Sequence, residues 1–184
     1  EITDLPGTYS LYPKTRDEEV VYQIFSDATS PYFPDIVVVV VDASNLERNL
    51  LLFSQLYDLK IPVILALNMS DIALKKGLTI DYHKLSEIFG GVKVVPLVAR
   101  KGEGFDELKE ALTDFSPVVE RPYFVEGEFD EGLAGSITNQ YSFVEKRFKK
   151  IKQALSFVIK ENTNKHKLVD RHRRFDRWLT HPVW

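Results

Sequence analysis

Four short segments concentrate the polar residues able to do chemistry: Asp4-Leu5-Pro6-Gly7, Asp42-Ala43-Ser44, Asn68-Met69-Ser70-Asp71 and Val98-Ala99-Arg100-Lys101-Gly102. A carboxylate such as Asp71 carries two acceptor oxygens and can receive two neighbouring N–H donors, each bond strengthened by its charge. Singly, each segment reads as a turn, because Asp and Asn after a strand commonly cap the next element. Their order carries more. Each stands where a strand should end, and in an open parallel sheet ligands bind beyond the carboxyl ends of the strands.

The elements that must carry these segments follow from periodicity. Residues 36–41, Ile-Val-Val-Val-Val-Val, form a β-branched run without alternation, the pattern of a strand buried on both faces. It ends at Asp42, and Leu46, Leu50, Phe53, Leu56 and Leu59 then recur at helical spacing. Pro62 precedes a second apolar run over residues 63–67, which ends at Asn68. A short helix is predicted over residues 72–76, and Asp81 caps another that carries Leu85, Ile88 and Phe89. Gly90-Gly91 stops it, a third strand spans residues 92–98, and a helix over residues 105–113 closes the unit. Strand and helix alternate three times, which predicts an α/β fold with an open, mostly parallel sheet.

Residues 117–140 break every pattern with Pro117, Pro122, Gly127, Gly132 and Gly135, and read as a junction or mobile loop. From Tyr141 a long helix carries Val144, Phe148, Ile151, Leu155 and Val158 on one face. A shorter helix is predicted over residues 168–179, ended by His181-Pro182.

Composition narrows the classes. The 184 residues are 44% apolar and 28% charged, a globular balance. No apolar run reaches the roughly 18–20 residues that span a bilayer, and Glu1-Ile2-Thr3-Asp4 has no secretory signal features. Zero cysteines exclude disulfides and thiolate chemistry within this chain. The net charge of −3 hides an asymmetry: residues 141–184 hold +8 and residues 1–140 hold −11. The basic part is suited to an anionic surface or an acidic partner, or is a solvated helix face. His83, His166, His172 and His181 share no metal-ligand spacing and read as surface or capping residues. Asp17-Glu18-Glu19 reads as the acidic first turn of a helix rather than a metal-attracting patch.

Asp4-Leu5-Pro6-Gly7 resembles the Asp-x-x-Gly motif of GTPases, Asn68 to Asp71 their Asn-x-x-Asp motif, and Val98-Ala99 their last base-contacting loop. More narrowly, Asp4 to Leu11, Val41-Asp42-Ala43-Ser44-Asn45-Leu46-Glu47-Arg48-Asn49-Leu50 and Ala66-Leu67-Asn68-Met69 resemble the ferrous iron transport protein B family. In that family a cytoplasmic GTPase domain precedes a membrane permease. The resemblance covers residues 1–116 well and the rest more loosely. It implies a P-loop GTPase sheet over residues 1–116, its first part missing, and a small α-helical domain over residues 141–184 that leads to the membrane.

The resemblance also implies a site for GTP or GDP with Mg2+. Guanine presents its N1–H and 2-amino group side by side, and Asp71 accepts both. Adenine lacks that pair, and leaving a buried carboxylate unpaired is worth on the order of 10²-fold in discrimination. Asn68 would tie the base loop together, the Ala99 N–H would reach the guanine carbonyl oxygen, and the apolar Met69 would cover the base. Asp4 would hold magnesium through a water and the Gly7 N–H would bond the γ-phosphate. Many GTPases follow this glycine with a glutamine that orients water; here the residue is Thr8, so either hydrolysis is slow or another group positions the water, and no catalytic base is named.

No Gly-x-x-x-x-Gly-Lys-Ser/Thr loop occurs in the chain. The expectation is a fragment that starts inside a strand, holds the base half of the site, and alone is impaired or inactive. The implied setting is the cytoplasmic face of the bacterial inner membrane. The implied partners are the permease part of the same polypeptide and, through self-association, a second copy. Two alternatives stand beside this reading. One is a soluble GTPase whose basic tail grips RNA, although no aromatic platforms for bases are evident there. The other is an interaction module that no longer binds nucleotide.

Overall fold

The computed structural model describes residues 1–114, 121–127 and 137–161. Its strands are β1 (Val37–Asp42), β2 (Val63–Asn68), β3 (Leu78–Ile80), β4 (Val94–Pro96) and β5 (Ile159–Glu161). Its α-helices are α1 (Arg16–Ser26), α2 (Leu46–Asp58), α3 (Ser70–Lys75), α4 (Tyr82–Ile88), α5 (Phe105–Thr113) and α6 (Ile137–Val158). β1, β2 and β4 form a parallel sheet in that order, and β3 pairs antiparallel with β5. The expected α/β class and parallel sheet are present.

Register places the polar strand ends together. Val41 lies opposite Leu67 and Asp42 opposite Asn68, while Leu67 also pairs with Pro96. Alternation along β2 sends Val63, Leu65 and Leu67 into the main core and Ile64 and Ala66 into a smaller one with Val95, Leu97 and Ala111. β2 is therefore buried on both faces, as its unbroken apolar run implies.

β1 departs from the same expectation. Val39 and Val41 are buried, but Val40 is 60% exposed and Val38 only half-buried. The cause is position: among the described residues β1 has a ladder partner on one side alone, and the second core gathers around β2, β4 and α5. The third strand is shorter than the predicted 92–98. Gly90 and Gly91 both take positive φ, and Pro96 brings no N–H to the ladder. Periodicity does not predict the β3–β5 pair, and the long helix starts at Ile137 rather than Tyr141. The first residues do not form the expected strand. They lie beside no described strand, and Ile2 is 96% exposed. The predicted helix over residues 168–179 lies outside the described residues.

The C-terminal half of α2 organises the main core. Ser54, Gln55 and Asp58 are buried together with Phe53, Leu56 and Tyr57. The Asp58 carboxylate accepts Arg147 Nη2 at 2.7 Å, Phe124 N at 2.5 Å and Val125 N at 2.9 Å. Arg147 Nη1 donates to the Ser54 carbonyl at 2.9 Å. Arg121 donates to the Tyr57 and Ile61 carbonyls and lies over the Tyr57 ring. Residues 121–125 of the predicted junction are thus docked on α2.

Removing one partner from a buried ion pair strands the other charge, at a cost of about 3–5 kcal/mol. Asp58→Ala is expected to lower unfolding stability by that amount in urea titration. Pairing Asp58→Leu with Arg147→Met should recover a substantial part, because neither charge then remains.

Candidate functional site

Two loops at the carboxyl edge of the sheet are joined by one side chain. Asn68 Oδ1 accepts Met69 N at 2.8 Å and Ala99 N at 3.1 Å, tying the loop after β2 to the loop after β4. Ser70 adds a second bridge, with its N–H on the Leu97 carbonyl at 3.2 Å and its hydroxyl on the Leu67 carbonyl at 2.7 Å. Met69 turns the chain between them at φ 59°, a left-handed conformation uncommon outside glycine. The turn starts α3 at once and puts Asp71 in its first helical turn. The Met69 side chain stays 42% exposed, outside the core.

The Asp71 carboxylate is only 14% exposed. Arg100 Nη2, Lys75 Nζ and Lys101 Nζ approach its Oδ2 at 3.5, 3.7 and 3.9 Å. Among the described residues no ion pair reaches Oδ1, which stays available to a donor. Val98 is buried and donates its N–H to the Glu103 carbonyl at 3.0 Å, folding residues 98–103 back on themselves. Gly104 closes that loop at φ +86°; a Cβ there would sit 2.2 Å from the Pro96 carbonyl oxygen. The Ala99 N–H, expected to meet a ligand carbonyl, is already donated to Asn68, so a ligand must share or displace that bond.

Asp4 and Gly7 are exposed, and among the described residues no hydrogen bond or ion pair joins them to this cluster. The chain beyond them is fixed. Thr8 Oγ1 donates to the Ser10 carbonyl at 2.8 Å and accepts the Ser10 N–H at 3.3 Å. Its hydroxyl thus shapes the turn. Gln55 Oε1 accepts Leu11 N at 2.9 Å and Ser10 Oγ at 3.1 Å. Glu18 then closes a capping box with Thr15 and also accepts Lys14 N at 2.7 Å. That bond, foremost, holds its carboxyl below the ordinary glutamate range. Of the three acids read as a first helical turn, Glu18 is a cap. Among the described residues no group of three or more His, Asp or Glu side chains could hold a metal. Asp4 alone therefore offers a magnesium ion one contact and no cage. His83 is exposed beside Glu87, and the other three histidines lie outside the described residues.

Comparison with known proteins decides the family. The profile described as "Ferrous iron transport protein B" matches residues 1–112, more than half of the chain. The chain belongs to that family. A FeoA/FeoB fusion protein of Porphyromonas gingivalis is 49% identical over 112 residues, covering 61% of this chain and 13% of its own length. The chain thus spans roughly one-eighth of that relative. Among solved structures, the cytosolic domain of Legionella pneumophila FeoB aligns with TM-score 0.67 and 30% identity, covering 86% of this chain and 77% of that one. A GDP-bound point mutant of S. thermophilus NFeoB aligns with TM-score 0.58 and 26% identity, over 96% and 70% of the two chains. These neighbours share the α/β fold of the ferrous iron transport protein B family seen here.

Motif reading misses Gln55 and Arg147 behind the site and Lys75 at it, and gives Arg100 and Lys101, in the segment after β4, no role toward Asp71. Arg147 carries a signal, since it falls inside the apolar stripe that runs through Val144, Phe148 and Ile151. Gln55 carries a weaker one, as an amide between Phe53 and Leu56.

Loss of Asn68 and loss of the Glu18 charge should each leave a local mark. Asn68→Ala removes the acceptor shared by the two loops; the Ala99 amide should exchange with solvent faster, at a cost of about 1 kcal/mol per lost bond. Lowered in the folded state, the Glu18 pKa contributes stability that is present above the ordinary glutamate value. That stability is lost as pH falls through the native value. NMR titration should show fraying at the start of α1 in that acid window, and Glu18→Gln should abolish its pH dependence.

Proposed function

We propose that this chain carries the base half of a GTP/GDP site in the cytoplasmic part of a ferrous-iron transporter. The observation that supports it most is the Asn68-braced pair of loops, which presents a nearly buried Asp71 with one oxygen free of ion pairs among the described residues. A carboxylate so placed suits the paired N1–H and 2-amino donors of guanine. Met69, exposed beside it, suits a base face. The GDP-bound S. thermophilus relative is consistent with this reading.

In the same proposal residues 1–116 form the GTPase domain and residues 141–184 a helical domain, with residues 117–140 between them. Asp4 contributes a water-mediated contact to magnesium held by the nucleotide phosphates, and Gly7 donates its N–H to the γ-phosphate. Held there by the nucleotide, magnesium would neutralise phosphate charge. Thr8 has its hydroxyl committed to Ser10, which suits slow hydrolysis. Residues 4–16 respond to the nucleotide and the helical part passes the change to a permease at the inner membrane. Among the described residues no helix is long and apolar enough to cross a membrane.

Asp71→Asn tests the base reading in a chain that carries a phosphate loop upstream of Glu1. One asparagine amide cannot accept both guanine donors, whereas xanthine offers it one donor and one acceptor. Competition binding should show guanine preference lost and XDP gained; unchanged preference for GDP removes Asp71 from the base site. The 184-residue chain itself should bind fluorescent GDP far more weakly than the version with the loop, because a ring of backbone donors and a lysine supply much of the affinity for nucleotide phosphates. Equal affinities would show that the phosphates are held elsewhere.

A further inference from the structure

One turn of helix α2 holds two distant parts of the molecule at once. Gln55 Oε1 receives the Leu11 N–H and the Ser10 hydroxyl, from the segment that follows Gly7. Arg147 of α6 grips the same turn on both sides of Gln55, with one nitrogen on the Ser54 carbonyl and the other on the Asp58 carboxylate. Ser54, Gln55 and Asp58 are buried, and so are Leu11 and Arg147. From this geometry we infer that residues 54–58 mechanically couple the segment after Gly7 to helix α6, with Gln55 as the positioning residue for that segment.

The coupling follows from what each movement would cost. If α6 withdraws, Asp58 loses the one charged partner among its three donors and the Ser54 carbonyl loses the Arg147 bond, inside the core where water does not replace them. The turn can follow α6 to keep those bonds, but Gln55 then moves with it, because residues 54–58 are one rigid helical turn. Leu11 and Ser10 must follow Gln55, or the buried Leu11 N–H loses its acceptor. The same chain of constraint runs in reverse from Leu11. Close packing leaves little slack, with the Phe53 and Tyr57 rings wedged against Phe89 at 4.8 and 5.4 Å.

Exposed contacts of the same elements do not carry such a constraint. Arg48 lies over the Tyr9 ring at 3.8 Å, and Lys150 bonds the Phe124 carbonyl, both at the surface where water can substitute. Such contacts add attraction without coupling. The buried turn differs because water cannot replace the bonds that are lost there, least of all the charged one between Arg147 and Asp58. The inference rests on the functional reading only for its purpose. If residues 4–16 respond to nucleotide, this turn is where the response reaches α6. Its test uses no nucleotide, so the two can fail separately.

Amide hydrogen exchange by NMR on the 184-residue chain tests the coupling, read at Leu11 and at Ile151 of α6. The Leu65 amide in the central strand reports global opening. Arg147→Met is expected to raise Leu11 exchange about ten-fold beyond any change at Leu65, as for coupled neighbours. Gln55→Leu should raise Ile151 exchange by a comparable factor, since linkage is reciprocal. Ile64→Val, in the smaller core, serves as a control that lowers global stability without touching the turn; Leu11 and Ile151 should then change no more than Leu65. If Arg147→Met does not fold, Arg147→Lys keeps the charge but not the fork and should give a smaller effect of the same sign. Leu11 exchange that merely tracks Leu65 in the Arg147 variant, or an effect in one direction only, overturns the inference.

Discussion

A carboxylate buried in an apolar core must find donors, and the fold behind the site is arranged around the donors that Asp58 finds. They come from two places far apart in sequence, the backbone of Phe124 and Val125 and the side chain of Arg147. Docking either segment alone would leave the charge under-satisfied. The stretch after residue 120 and helix α6 are therefore held to α2 together. Arg121 strengthens the arrangement by bonding two further carbonyls at the end of the helix. Ile151, Leu155 and Val158 pack into the core from the same face of α6 that carries Arg147, so the apolar stripe and the ion pair turn the helix the same way.

At the carboxyl edge of the sheet the controlling element is smaller. Parallel register sets Asp42 beside Asn68, and the chain leaves β2 and β4 at neighbouring points. Asn68 converts that proximity into a fixed geometry by accepting from both loops. Met69 in its left-handed turn and Gly104 against the Pro96 carbonyl hold the loops in shapes that few other residues allow.

Much of this is readable from sequence where one local rule suffices. The β-branched run before Asp42 and the short apolar run before Asn68, bounded by Pro62, are strands as their patterns predict, and Asp81 caps α4 as its type predicts. Where a neighbour far along the chain decides, sequence reading fails. β3 and β5 have three residues each, too few for a pattern, and pair across about eighty residues. The exposure of Val40 depends on its strand having one neighbour, which no run of valines can announce. Ser54, Gln55 and Asp58 lie off the apolar stripe of α2, and only contacts with α6 and the Leu11 segment bury them. Arg147 is the residue to stop at, because a charge within an apolar stripe must be either misplaced or paired. On the site itself, the residues drawn from the two loops, Asn68, Met69, Asp71, Val98 and Ala99, do come together. Asp4 and Gly7 stand apart from them.

The central proposal is that the loops after β2 and β4 hold a guanine base. Chemical-shift mapping of the 184-residue chain with GMP and, in parallel, AMP addresses it directly. Saturable shifts at the amides of Met69, Ser70, Ala99 and Arg100 with GMP, and none there with AMP at the same concentration, are the result this account predicts. Equal shifts with both nucleotides, or GMP shifts confined to other parts of the chain, would contradict it.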